Sequence, residues 1–226
     1  AVARQVCDYA KSKGISYGSI TAGADGSVET SGVRGVDPDL RVRPFFAHGA
    51  KEYGYGADLR EGATMKGEDV WVSGRVRGTD GKPVANAVLD IWQAKADGIY
   101  DVQTGGEFEL RGRVKANAKG EYAFASYKPK FYSIPMDGPV GDLISKTTNN
   151  HMRPAHMHAI VSAPGYLQVI THVFVQGDPY LDGDAVFAVK DSLVAKYKKV
   201  TDAAEAKKLG MPTPFLRLNW DFHLSP

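Results

Sequence analysis

The chain has 226 residues, 43% of them hydrophobic and 24% charged, with a formal net charge of +2. That is ordinary globular composition, long enough for one large domain with a substantial core. The near-neutral balance argues against nucleic acid or a charged membrane as partner, one cysteine, Cys7, rules out an intramolecular disulfide framework, and no apolar run reaches the length of a membrane span. No signal peptide opens the chain, so cytoplasm is the expected compartment.

In chain order, Val2, Val6, Tyr9 and Ala10 have helical spacing, and Gly14 would end a short helix there. Residues 18–37, rich in Gly, Ser, Thr and Asp, read as a loop or extended arm. Asp37-Pro38-Asp39 is a turn, and Pro44-Phe45-Phe46 a compact apolar knot. Residues 1–41 are thus read as an N-terminal arm and 42–226 as the folded domain.

From Asp69 a period of two sets in, with Val70, Val72, Gly74 and Val76 on one face. Turn chemistry at Thr79–Pro83 and a second apolar run at Ala87–Trp92 predict a hairpin. Asp97-Gly98 makes a turn before Ile99-Tyr100, and residues 101–109 read as an irregular loop. Strands are expected near 111–114, 121–127, 156–163, 168–175 and 215–222. Residues 128–150, punctuated by Pro129, Pro135, Gly138 and Pro139, form a long ordered loop of the kind that carries function. Val186, Val189, Leu193, Val194 and Tyr197 share one helical face, which predicts the main helix near 184–198. The paired Lys198-Lys199 and Lys207-Lys208 read as a solvated helix face. Short strands with regular turns indicate an all-β chain: an antiparallel β-sandwich with one main helix and long loops.

The stretch Arg153-Pro154-Ala155-His156-Met157-His158 organises the functional reading. Pro154 biases Arg153 toward extended backbone, and Ile160-Val161 suit a strand. His156 and His158 then point to one face, two imidazoles aimed at one spot. That is half a metal site, or a histidine pair on a wet sheet face. Among the eleven tyrosines, Tyr100 and Tyr132 are the best placed to complete a site. Each follows turn residues in a segment that passes over the end of a sandwich. The alternative for each is packing with its hydroxyl satisfied.

Three segments carry a resemblance. Asp90-Ile91-Trp92-Gln93-Ala94 with Asp97-Gly98-Ile99-Tyr100, then Pro129-Lys130-Phe131-Tyr132-Ser133-Ile134-Pro135, then Arg153-Pro154-Ala155-His156-Met157-His158 resemble, in order and spacing, the metal-binding segments of the intradiol ring-cleavage dioxygenases. The likeness runs from about Val42 to Val194. It implies non-haem Fe(III) held by Tyr100, Tyr132, His156 and His158, a small aromatic diol and O2 as substrates, and ring opening between the two hydroxylated carbons to a muconate-type diacid. It implies that Tyr132 is the tyrosinate that leaves the metal and takes a proton. It also gives Arg153 the role of stabilising negative charge on the ring, where the alternative is a structural salt bridge. Pocket positions match Pro44, Phe45, Ala185 and Val186.

His172 stands where catechol-cleaving members carry glutamine. Thr171-His172-Val173-Phe174 and Asp184-Ala185-Val186-Phe187 look more like the hydroxyquinol-cleaving branch, which turns 1,2,4-trihydroxybenzene into maleylacetate. His172 would hydrogen-bond a third hydroxyl, or else pack under the metal. Catechol or chlorocatechol cleavage, another metal such as copper, and a non-catalytic binding module are the competing readings. The resemblance implies a longer helical segment before Pro44, through which typical members form a homodimer; here either the protein is a short form or its oligomeric contacts differ.

Overall fold

The computed structural model describes residues 20–22, 28–30, 45–105, 107–147 and 150–226. The strands are β1 (Ile20–Ala22), β2 (Val28–Thr30), β3 (Glu52–Tyr53), β4 (Ala57–Asp58), β5 (Asp69–Gly78), β6 (Val88–Gln93), β7 (Arg111–Lys115) and β8 (Glu121–Tyr127). They continue as β9 (Tyr132–Ser133), β10 (Met152–Arg153), β11 (His156–Ser162), β12 (Val169–Val175), β13 (Val194–Ala195), β14 (Lys198–Val200), β15 (Phe215–Asn219) and β16 (Phe222–Leu224). The α-helices are α1 (Asp101–Thr104), α2 (Pro139–Thr147) and α3 (Ala203–Leu209).

The chain divides into two compact units. One comprises residues 1–44 and 134–151. It holds β1 paired antiparallel with β2, Ile20 opposite Thr30, and α2. The short helix expected within residues 1–19, and Pro44, lie outside the described residues. The stretch 128–150 is less loop-like than expected. Pro139 opens α2, Asp142 lies in its first turn and Lys146 in its last, a placement that suits the helix dipole.

The other unit, residues 45–133 and 152–226, is a β-sandwich. One sheet has the order β13-β12-β11-β6-β7-β3, the other β14-β15-β5-β8-β4, with β16 also on β5. The central pairs β5–β8, β6–β7, β6–β11 and β11–β12 are antiparallel. The pairings β3–β7, β4–β8, β12–β13, β15–β5 and β16–β5 are parallel, and β14–β15 is antiparallel. Val70, Val72 and Val76 of β5 meet Leu89 and Ile91 of β6, Phe124, and Met157, Ala159 and Val161 of β11 in one core. Full burial of each such large side chain contributes about 1.5–3 kcal/mol.

Two expectations fail. The segment 184–198 is not a helix. The Asp184 carboxylate accepts hydrogen bonds from the Val186 and Ala188 backbone N–H groups, and Phe187 sits at φ +56°. A short acidic side chain that captures nearby N–H groups competes with helix. Two 3₁₀ turns, Leu181–Gly183 and Asp191–Leu193, bracket the stretch, and β13 then pairs with Phe174 and Val175. The helix of this region is α3, where Asp202 accepts from Ala204 and Glu205 N–H, and Gly210 ends the helix in the left-handed region. Lys207 and Lys208 belong to it; Lys198 and Lys199 belong to a strand.

The second failure is the hairpin. β5 and β6 lie in different sheets. The turn at 79–82 does fold back for a single bridge, Arg77 with Pro83. Proline has no N–H to continue a ladder, and the chain crosses to the other sheet. Among the described residues no helix is long and apolar enough to cross a membrane.

Candidate metal centre

Alternation along β11 sends Met157, Ala159 and Val161 into the sandwich core and His156, His158 and Ile160 to the outer face of their sheet. Register builds the rest of that face. His158 lies between Trp92 of β6 and His172 of β12, and His156 lies opposite Phe174. The Trp92 and His158 rings stack at 4.6 Å and 4°, which fixes the imidazole plane.

Two loops cover this face. Tyr100, fully buried, ends the 94–100 loop, and its N–H donates to Gln103 Oε1 (2.8 Å). Tyr132 comes from the two-residue ladder β9–β10, which places it directly opposite Arg153. Gly98 lets the loops meet. It has φ +86°, and a Cβ there would lie 2.8 Å from Phe131 O and 3.3 Å from Tyr132 Cβ. Gly98→Ala is therefore expected to destabilise by about 1–3 kcal/mol through strain and overpacking. Gly105, at φ +67° with nothing near its missing Cβ, is the control. Thermal unfolding should drop further for Gly98→Ala than for Gly105→Ala; equal drops would show that the contact with the Tyr132 loop is unimportant.

The four expected donors converge. His158 Nε2 lies 3.1 Å from Tyr100 Oη and 3.1 Å from His156 Nε2. His156 Nδ1 is 2.7 Å from the Pro154 carbonyl. A carbonyl only accepts, so Nδ1 carries the proton and Nε2 presents its lone pair inward. Arg153 Nη1 donates to Tyr132 Oη (3.3 Å) and is 3.2 Å from His156 Nε2. All five residues are buried.

Burial raises the Tyr100 hydroxyl well above the usual phenol range, and neighbouring Tyr132 adds to the shift. Burial lowers His156 and His158 well below the usual imidazole range, with the Arg153 charge contributing at both. His172 is pushed down to about 4 by burial and then by Arg153. Burial alone would lower Arg153, but Tyr132 and the Asp184 carboxylate outweigh it, and the guanidinium stays charged. The face therefore holds neutral imidazoles and a phenol that keeps its proton unless a cation compensates the anion. Such a donor set fits a hard, highly charged metal ion.

Among the pocket residues, Phe45 stacks on Tyr100 (4.2 Å, 15°) and meets Tyr132 edge-on. Ala185 is buried, its N–H bonded to Met152 O (3.1 Å). Val186 is 47% exposed, so its side chain faces solvent more than an enclosed pocket wall would. His172 joins the histidine pair, with one ring nitrogen from each of the three within 4.8 Å of the others.

Sequence reasoning passed over two supports. Asp184 is buried and receives Arg153 Nε (3.1 Å) and Nη2 (3.4 Å) while its oxygens hold the Val186 and Ala188 N–H groups. It thereby ties the guanidinium to the 184–188 turn. Asp101, next to Tyr100, takes a two-point contact from Arg111 (2.8 and 2.5 Å), and Arg111 also donates to Phe45 O (2.8 Å). This pair anchors both the Tyr100 loop and the ring stacked on it. The only sequence signals were that Asp184 opens the Asp184-Ala185-Val186-Phe187 segment and that Asp101 follows Tyr100.

Several known proteins are similar to this chain. A family model described as "Dioxygenase" matches residues 42–226. The chain is 45% identical over 185 residues to a 6-chlorohydroxyquinol 1,2-dioxygenase of Cupriavidus pinatubonensis, covering 81% of this chain and 62% of the relative. It is 44% identical over 195 residues to a hydroxyquinol 1,2-dioxygenase of a Rhizobium species, covering 84% and 65%. A solved hydroxyquinol 1,2-dioxygenase from Pseudomonas putida superposes with a TM-score of 0.73 at 40% identity, covering 81% of this chain and 64% of that one. The chain thus spans less than two thirds of the length of these relatives.

Proposed function

The chain belongs to the intradiol ring-cleavage dioxygenases, and from that membership we propose that it opens the ring of catechol-type diols with O2 between the two hydroxylated carbons, giving muconate-type diacids. The family uses non-haem iron. We assign Tyr100, Tyr132, His156 and His158 as the residues that hold it, as Fe(III). The observation that carries the reading is the convergence of two buried phenols and two buried imidazoles beside one buried guanidinium. Phenolate is a hard anionic donor that favours ferric over ferrous iron.

Bound iron would supply Lewis acidity and redox activation of the diol toward O2. The protein's own residues do the rest. Tyr132, within reach of Arg153, is the phenol that exchanges a proton with the incoming diol. Arg153, held by Asp184, keeps a fixed positive charge where negative charge grows on the ring, with no reorganisation required during the reaction. The Trp92 and Phe45 rings hold the imidazole and phenol planes in place.

For the substrate, we propose trihydroxybenzenes of the hydroxyquinol type, with maleylacetate as product. The relatives' names support this, as does His172, whose Nε2 is buried without a hydrogen-bond partner. An imidazole N–H or lone pair meets a third hydroxyl, and a site with such a group discriminates against analogues that lack the hydroxyl. The test is turnover of hydroxyquinol, catechol, chlorocatechols and protocatechuate. The kcat/KM ratio of hydroxyquinol over catechol is expected to exceed one and to fall about tenfold or more in His172→Gln. A wild-type preference for catechol would assign the chain to the catechol branch. A ratio unchanged by His172→Gln would remove His172 from the explanation.

A further inference from the structure

His172 has a second consequence. Its ring centroid lies 4.9 Å from that of His156 and 4.5 Å from that of His158, and those two are 4.6 Å apart. The three rings form a near-equilateral triangle on one sheet face, set by the cross-strand register of His158 with His172. One nitrogen from each lies within 4.8 Å of the others, and His172 Nε2 has no partner. We propose that His156, His158 and His172 form a three-imidazole site for a borderline divalent cation such as Zn²⁺. This site shares two residues with the iron set, so zinc and iron exclude each other; that exclusion and its effect on O2 activation rest on the function proposed above, and the zinc site itself does not.

The chemistry favours the triad for a divalent ion. Each phenol must give up a proton to become a strong donor, and a divalent ion drives that loss less strongly than a trivalent one. A neutral imidazole offers its lone pair with no proton to lose, and zinc takes nitrogen donors readily. Zn–N bonds of about 2.0–2.1 Å put tetrahedral ligand nitrogens about 3.3–3.4 Å apart. His156 and His158 Nε2, at 3.1 Å, are already close to that spacing. His172 is half-buried, and its ring has to turn inward to bring its nitrogen from within 4.8 Å to that spacing. His156 has the outer support typical of a ligand, Nδ1–H donating to a backbone carbonyl. The nearby Arg153 charge is paired with Asp184. Zinc has no redox chemistry, so its occupancy would block activation of O2. His172 thus makes this chain sensitive to divalent metals in a way that glutamine at the same position would not.

The experiment uses the full chain, stripped of metal by chelation. Zn²⁺ alone is titrated by calorimetry into wild type, His172→Gln and Tyr100→Phe. One equivalent should bind to wild type, at least about tenfold more weakly to His172→Gln, and unchanged to Tyr100→Phe. Equal affinity for wild type and His172→Gln, or loss of binding in Tyr100→Phe, would overturn the triad. Cu²⁺ bound to the wild-type chain gives a check that needs no variant. Pulsed paramagnetic resonance should count three coupled imidazoles, and two would refute the proposal. A chain that binds zinc as described but shows no iron-dependent turnover would instead fail the dioxygenase reading.

Discussion

His158→Ala is expected to leave a folded protein that holds no iron. His158 is the hub of the donor set, with Tyr100 Oη and His156 Nε2 each 3.1 Å from its Nε2, and removing it leaves three of the four proposed protein donors. The ring is also packed, stacked on Trp92 and beside His172. Its loss opens a cavity that costs about 2–4 kcal/mol. The sandwich core lies on the other face of the sheet, formed by Met157, Ala159 and Val161, so the domain should remain folded. Metal analysis after growth in iron should show at least about a tenfold fall in bound iron. Tyrosinate-to-iron charge transfer should give the wild type a visible red colour, and that colour should vanish. Tyr100→Phe is the milder counterpart. It keeps the ring stacked on Phe45 and removes only the oxygen, so the band should weaken and shift while some iron stays. Full iron content with an unaltered band in His158→Ala would mean the metal, if any, sits elsewhere.

The shared face of the two histidines was legible in sequence because strand alternation does geometric work locally. Once His156-Met157-His158 is a strand, two imidazoles share a face whatever the partners are. Partners were not legible. The alternation in β5 and β6 is real, yet period two says nothing about which sheet a strand joins, and the pair read as a hairpin lies in two sheets. The stretch 184–198 misled for a related reason. Its apolar spacing is helical, but Asp184 spends its carboxylate on Arg153 and on two N–H groups of its own turn. Arg153 is far away in sequence, so this competition is invisible to a window. Arg111 and Asp101, 10 residues apart, were hidden because no periodic pattern links them, and their pairing holds the Tyr100 loop. Where local signals sufficed they were present but underused: Asp202 and Gly210 bracket α3 as N-cap and C-terminal glycine.

Arg153→Ala is expected to cost about 10²–10³ in turnover, or about 2.7–4 kcal/mol of transition-state stabilisation. The difficulty is that this arginine does two things. It faces Tyr132 and His156, and it neutralises Asp184, whose side chain is 2% exposed. Alanine leaves a buried carboxylate held only by the Val186 and Ala188 N–H groups, and breaking such a pair costs about 3–5 kcal/mol of stability. A loss of activity alone would not distinguish the two roles. Asp184→Asn separates them, because the amide removes the unpaired charge while its single oxygen keeps one of the two turn N–H bonds. In Arg153→Ala/Asp184→Asn the unfolding midpoint should recover most of its loss while kcat stays low. Iron content should stay near wild type in both, since no proposed ligand is touched. Arg153→Lys keeps the charge without the planar fork and should fall between alanine and wild type in turnover. If the double variant regained turnover together with stability, or if Arg153→Ala emptied the iron site, Arg153 would be a structural clamp and the charge near the ring would have to come from elsewhere.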